Sequence, residues 1–481
     1  MIKISPEDVD KRLSFDNPWW DDSEAQDRIY GDLPKRSYFI PFLDLVKNRE
    51  VRRAIILMGP RRVGKTVILH QTINQLLKEG TPGKNILFLS METPIYTDTH
   101  LETFVRRFQE RFHHPQDRQL TIIFDEIQYL RDWEVHLKSL VDSFPHIRFV
   151  VSGSAAAALR LKSRESGAGR FTEFLLPPLT FAEYLDFIKR EKELIDLATG
   201  PEIYTTNIDE LNREFINYLN YGGYPEAVFN KFIRDESNRF IKNDIIDKVL
   251  MRDLPQLYGI RDIQELNRLF TTLAYNTGNE VSLEELSQSS GVSKTTLSRY
   301  LEYLEAAFLI RRVYRIDLNA RHFKRATSFK IYLTNPSMRA ALFGLLAEDD
   351  QTMGSLAETA LFAQWFHDGS LMDQLYYARW PKGEIDMVVL DQATQKPWWT
   401  TEVKWSDRPA KDHKQLRHLE LFKEKHPKLK FCEVTTRTIQ TKINLSSGLQ
   451  INFMPTSLLV YEVGKFVLEK KNERPNHHTP L

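Results

Sequence analysis

The sequence predicts an α/β protein whose first large domain is a parallel sheet layered with helices, followed by smaller domains. Three observations carry this. After residue 50, short apolar runs alternate with helical stretches, at residues 54–58, 86–90, 120–124 and 147–152. Near-continuous apolar character of that kind fits strands buried on both faces. The segment GPRRVGKT at 59–66 joins the first run to the helix behind it, which is the strand–loop–helix setting of a phosphate-binding loop. The third observation is length: 481 residues are too many for one core, so two to four domains are expected.

Composition narrows the class. A hydrophobic share of 42% and a charged share of 27% are those of ordinary globular protein. With a net charge of +1, any nucleic-acid surface has to be local. The single cysteine, Cys432, excludes an intrachain disulfide and a thiolate metal site. The N-terminal MIKISPEDVDKRLSF is charged throughout, and no apolar run of about eighteen residues is present to cross a bilayer. A cytoplasmic protein without a membrane partner is therefore expected. The first fifty residues are polar and aromatic, with Trp19 and Trp20 among acids, and are expected to pack over the next domain.

In the loop, Gly59, Pro60, Arg61, Arg62, Val63, Gly64, Lys65 and Thr66 are the candidate ATP-binding residues. The glycines allow the tight wrap that aims backbone N–H groups at phosphate oxygens, and the helix behind adds its positive N-terminus. Lys65 is expected on the β- and γ-phosphates, with the Thr66 hydroxyl on Mg²⁺. About sixty residues on, LTIIFDEIQYL is a strand ending in Asp125-Glu126. At that end of a parallel sheet, Asp125 holds Mg²⁺ through water and Glu126 is the catalytic group that polarises the attacking water. An acidic pair there also serves as a helix cap. The next strand offers Ser154 as a γ-phosphate sensor, or as a turn serine. Arg170 is a candidate for the transition-state charge clamp, from its own chain or from a neighbouring copy in a homo-oligomer.

The set GPRRVGKT, FDEIQ, VSGSAAAAL, GRFTEFLLPPLTFAEYL and YGGYPEAV resembles the bacterial and archaeal AAA-type ATPases that carry a DUF4143 C-terminal region. The resemblance covers nearly the whole chain after residue 50. It implies an AAA-type P-loop ATPase core at 51–180 behind an extension at 1–50. A helical lid at 181–256, a winged helix at 257–325 and a PD-(D/E)XK nuclease-like α/β domain at 326–465 follow, with a tail at 466–481.

The residues themselves speak for two of these parts. A helix at 283–289, a turn at Gly291 and a helix at 293–306 have the punctuation of a helix-turn-helix. Ser293 is the expected N-cap, and Leu297, Tyr300, Leu301 and Leu304 the buried face. Lys294, Thr295, Ser298 and Arg299 then point outward, and the basic Arg311, Arg312, Arg315, Arg321, Lys324, Arg325 and Lys330 follow. That surface suits double-stranded DNA, although winged helices also serve as packing modules.

Further on, Asp386 in GEIDMVVL precedes Glu402-Val403-Lys404 by one hairpin. Residues two apart share a strand face, so Glu402, Lys404 and Asp386 are expected to converge. Asp386 and Glu402 would bind Mg²⁺ or Mn²⁺ for phosphodiester hydrolysis, and Lys404 would orient or deprotonate the water. In the nuclease fold that the resemblance implies, Glu358 adds a helix carboxylate to the metal. A structural ion-pair cluster around the lysine is the competing reading. The whole chain then reads as an ATPase coupled to DNA binding or cleavage, or as a regulatory ATPase whose C-terminal domain is an inactive interaction module.

Overall fold

The computed structural model describes residues 5–22, 30–31, 33–96, 99–153, 169–196, 203–260, 262–321, 328–445 and 448–472. The chain divides into two units, residues 1–177 with 470–481 and residues 178–469.

In the first unit the four apolar runs form strands β1 (Ala54–Met58), β2 (Ile86–Ser90), β3 (Leu120–Asp125) and β4 (Ile147–Gly153). Strand β5 (Phe171–Leu175) completes a parallel sheet in the order β2-β3-β4-β1-β5. All residues of β1 and β3 are buried, as the apolar runs require. β5 lies at an edge, is only partly buried, and carries no continuous apolar run. Helices Lys65–Lys78, Leu101–Arg111 and Trp133–Ser143 form the crossovers. The second of these buries Leu101, Phe104, Val105 and Phe108, a stripe with helical spacing.

The other edge strand, β2, is covered by the N-terminal segment. The Asn17 amide donates to Phe88 O at 2.9 Å and accepts from Phe88 N at 2.6 Å, pairing the strand's free backbone groups. The indoles of Trp19 and Trp20 both donate to Ile86 O. The expected packing of this segment over the sheet is therefore present within the unit.

Beneath it His70 is buried, stacked on Tyr30 and tilted against Phe88, with ring centroids 4.4 and 4.5 Å away. Burial depresses its pKa to about 4. An imidazole with a depressed folded pKa contributes its full stability above about 6.5, and that contribution is lost as pH falls toward 4. The shift corresponds to about 3 kcal/mol. Urea titrations between these pH values are expected to show the loss in wild type and not in His70→Phe; parallel profiles would contradict it.

The second unit begins with helices. Phe181–Phe187 starts in a reciprocal cap between Thr180 and Glu183. A two-stranded β6 (Ile195–Asp196) and β7 (Tyr204–Thr205) precedes helix Ile208–Tyr221. The later strands are β8 (Glu280–Ser282), β9 (Ile310–Ile316), β10 (Ser328–Leu333), β11 (Leu375–Trp380), β12 (Gly383–Leu390), β13 (Pro397–Glu402), β14 (Phe431–Thr436), β15 (Thr441–Asn444) and β16 (Gln450–Pro455). They form one nine-stranded sheet in the order β15-β16-β14-β13-β12-β11-β9-β10-β8. Because β9 pairs with both β10 and β11, strands from before residue 322 and after residue 327 share one sheet.

Helices Leu283–Ser290 and Lys294–Ala306 flank Gly291, which has φ +73°. The Ser293 side chain accepts from Thr296 N, and Leu297, Tyr300, Leu301 and Leu304 are the buried face. Among the described residues no helix is long and apolar enough to cross a membrane.

Candidate nucleotide site and a carboxylate cluster

At the C-terminal end of β1 the chain turns through residues 59–64. Arg62 and Gly64 have φ +65° and +97°, and helix Lys65–Lys78 begins directly behind them. Gly59 is required by contact: a Cβ there would stand 2.1 Å from the Leu176 carbonyl oxygen. The loop is braced by Arg36, a buried residue whose guanidinium donates to Val63 O at 3.2 Å and to Pro177 O at 2.6 Å. No signal within the loop itself points to that residue.

Lys65 is buried, and its ammonium donates to Gly59 O at 3.1 Å and Pro60 O at 2.9 Å. Thr66 Oγ1 donates to Asp125 Oδ2 at 2.8 Å. The Ser152 hydroxyl donates to the other oxygen of Asp125 and accepts from Glu126 N at 3.0 Å. Burial, then the adjacent Glu126, pushes the Asp125 carboxyl up to about 6, against the hydrogen bonds of Ser152 and Thr66. Glu126 itself leaves the strand with φ +53° and receives the Gln128 amide. A threonine hydroxyl beside a buried carboxylate is a hard-oxygen donor set that fits Mg²⁺.

Two further candidates fare differently. Ser154 lies outside the described residues; Ser152, which sequence reasoning passed over, is the β4 serine that reaches Asp125. Arg170 is not brought to the P-loop of its own chain. Its backbone carbonyl accepts from Ala54 N, at the start of β1, whereas the P-loop follows the end of that strand. Five strand residues separate them by roughly 16 Å, and the Arg170 side chain is paired with Asp142 at 3.0 Å.

In the second unit Glu358, Asp386, Glu402 and Lys404 do converge. Lys404 Nζ lies 2.8 Å from Glu402 and 3.3 Å from Asp386, whose carboxylate also accepts from Val403 N at 2.9 Å. A residue not foreseen stands among them. Lys330, on β10, is 2.9 Å from Glu358, 2.8 Å from Glu384 and 3.4 Å from Asp386, with a side chain only 4% exposed. Tyr332 also donates to Glu358, at 2.6 Å.

Burial alone would lower the Lys330 pKa, yet Glu358, Asp386 and Glu384 raise it above the usual lysine value. Burial, then Asp386, pushes Glu358 up to about 7. Among the described residues no group of three or more His, Cys, Asp or Glu is arranged to hold a metal ion. Glu358, Asp386 and Glu402, the expected metal set, stand here in ion pairs with Lys330 and Lys404.

The expected basic stripe is also reduced. Lys330 is internal, Arg312 is paired with Glu305 at 3.0 Å, and Arg315 donates to Arg379 O. Lys294 is paired with Glu284. Lys324 and Arg325 lie outside the described residues.

An uncharacterised protein of Haemophilus influenzae is 27% identical over 60% of this chain and 69% of its own length. An uncharacterised protein of Methanocaldococcus jannaschii is 23% identical over 70% and 72%. Among solved structures, the replication initiator DnaA bound to AMPPCP and single-stranded DNA overlaps 56% of this chain and 87% of its own, at 13% identity and a TM-score of 0.28. An Hsp104–ADP complex of S. cerevisiae overlaps 59% and 40%, at 13% identity and a TM-score of 0.30. Residues 212–349 match a domain of unknown function, DUF8612, rather than the DUF4143 region the sequence resembled. Residues 51–185 match the AAA domain family, and within them the P-loop stands at the end of β1 in a parallel sheet.

Proposed function

We propose that the first unit binds ATP with Mg²⁺ and hydrolyses it, and that the second unit is a regulatory module whose carboxylates are neutralised by lysine. The observation that carries the first half is the convergence of Thr66 and Ser152 on Asp125, directly behind the phosphate loop. Backbone N–H groups of residues 61–66 grip the phosphates, and Lys65 turns its ammonium from its own loop carbonyls to the β- and γ-oxygens. Mg²⁺, held by Thr66 and through water by Asp125, would neutralise charge on those oxygens. Glu126 polarises the attacking water, while Ser152 fixes the backbone N–H of Glu126 and so its position. In a homo-oligomer Arg170 serves a neighbouring copy's nucleotide, since its own chain's P-loop lies at the other end of β1.

Lys330 among Glu358, Glu384 and Asp386 supports the second half. The fit of Asp386, Glu402 and Lys404 to one another supports a second reading, metal-dependent cleavage of double-stranded DNA by a nuclease-like domain behind a winged helix. Incubating wild type with plasmid DNA, ATP and Mg²⁺ or Mn²⁺ separates them. Under the first reading no nicking occurs with wild type or with Asp386→Ala. Nicking by wild type that is lost in Asp386→Ala reverses the choice.

A further inference from the structure

At the pole of the five-stranded sheet away from the P-loop, a cavity of about 140 Å³ opens between the segments entering β1, β3 and β4. Its wall carries Arg49, Arg52, Arg53, Arg148 and His146, an apolar side at Phe144, and no carboxylate. Two of these arginines are fixed from within. Arg49 donates to Leu120 O at 3.0 Å and to Thr121 Oγ1 at 2.9 Å. Arg148, 5% exposed, donates to Val51 O at 3.2 Å, to Arg53 O at 2.6 Å and to Asn48 O.

All of these acceptors are neutral. Among the described residues none of the four arginines has an ion-pair partner, and the nearby Asp142 is taken by Arg170. The Nε of Arg148 is buried with no acceptor at all. Burial, then the charge of Arg49, draws the Arg148 guanidinium down to about 10. Four like charges converge on this cavity with no carboxylate in its wall, and an entering anion would relieve their mutual repulsion.

The chemistry of the wall selects the anion. Guanidinium forks match tetrahedral oxyanions, and several of them together favour a dianion over a single carboxylate. A cavity of about 140 Å³ has room for a phosphate group. We propose that this cavity is a second anion site, separate from the P-loop, which takes a terminal phosphate group, either free or at the end of a phosphorylated ligand.

The site stands apart from the ATPase reading, and its test removes the P-loop. Full-length Lys65→Ala protein is titrated calorimetrically with pyrophosphate at low salt. Saturable binding is expected, weakened at least roughly tenfold by adding Arg52→Glu and Arg53→Glu, the scale of one lost charge-assisted contact. Neither of those two side chains is buried, so the fold is expected to survive, which an unchanged melting curve checks.

A 5′-phosphorylated single-stranded oligonucleotide bound more tightly than its 5′-hydroxyl twin would identify nucleic-acid ends as the source. Pyrophosphate bound with neither oligonucleotide would identify a small soluble phosphate. No pyrophosphate binding in Lys65→Ala overturns the site, as does binding unaffected by the two glutamates, or equal binding of both oligonucleotides without pyrophosphate.

Discussion

Lys330→Ala is expected to destabilise the second unit by about 3–5 kcal/mol, the usual cost of removing one partner from a buried ion pair. The ammonium it deletes is the common partner of Glu358, Glu384 and Asp386, all within 3.4 Å. Lys404 cannot replace it, being engaged with Glu402 and Asp386 with its side chain 43% exposed. Without Lys330, Glu358 is left buried against Asp386, the neighbour that already raises its pKa. For a unit of this size the melting midpoint should fall on the order of 10 °C. Lys330→Met combined with Glu358→Leu should recover much of the loss, since an apolar pair of similar volume leaves fewer charges to neutralise. An unchanged midpoint in Lys330→Ala would show that the cluster does not support the fold.

Glu126→Gln should keep ATP bound while turnover falls by about 10²–10⁴-fold, the range of a lost general base. The amide retains the shape of the side chain, and the Ser152 hydroxyl still receives the residue 126 N–H, so the backbone stays in place. Thr66, Asp125 and Lys65 are untouched, which preserves nucleotide binding. Phosphate release and filter retention of labelled ATP, measured together, read the two effects separately. Turnover at the wild-type rate would remove Glu126 from its assigned role.

The parts legible in the sequence are those written locally. Gly59 to Thr66 form one contiguous pattern, and an apolar run followed by Asp-Glu marks the strand that faces it. Ser293 and Gly291 announce their cap and turn in the same way. The parts that were not legible depend on register or on distant pairing. Ser152 meets Asp125 because Val151 pairs with Phe124, which sets the next residue of each strand side by side. A sequence does not state that alignment.

Lys330 lies 28 residues before Glu358 and 56 before Asp386, at the end of a stretch that reads as a basic surface. Only the fold of β10 against β8 and β9 turns it inward. Strand β5 lacked a continuous apolar run because an edge position does not ask for one. Arg170 kept its charge in the sequence but not its distance, which only the parallel pairing of β5 with β1 reveals.

The most direct test of the central claim is phosphate release from ATP by the purified full-length protein with Mg²⁺, measured beside Lys65→Ala. Steady release by wild type is predicted, with both binding and release reduced at least about a hundredfold in the variant. Equal release by the two proteins would contradict the account, as would ATP binding by wild type with no hydrolysis.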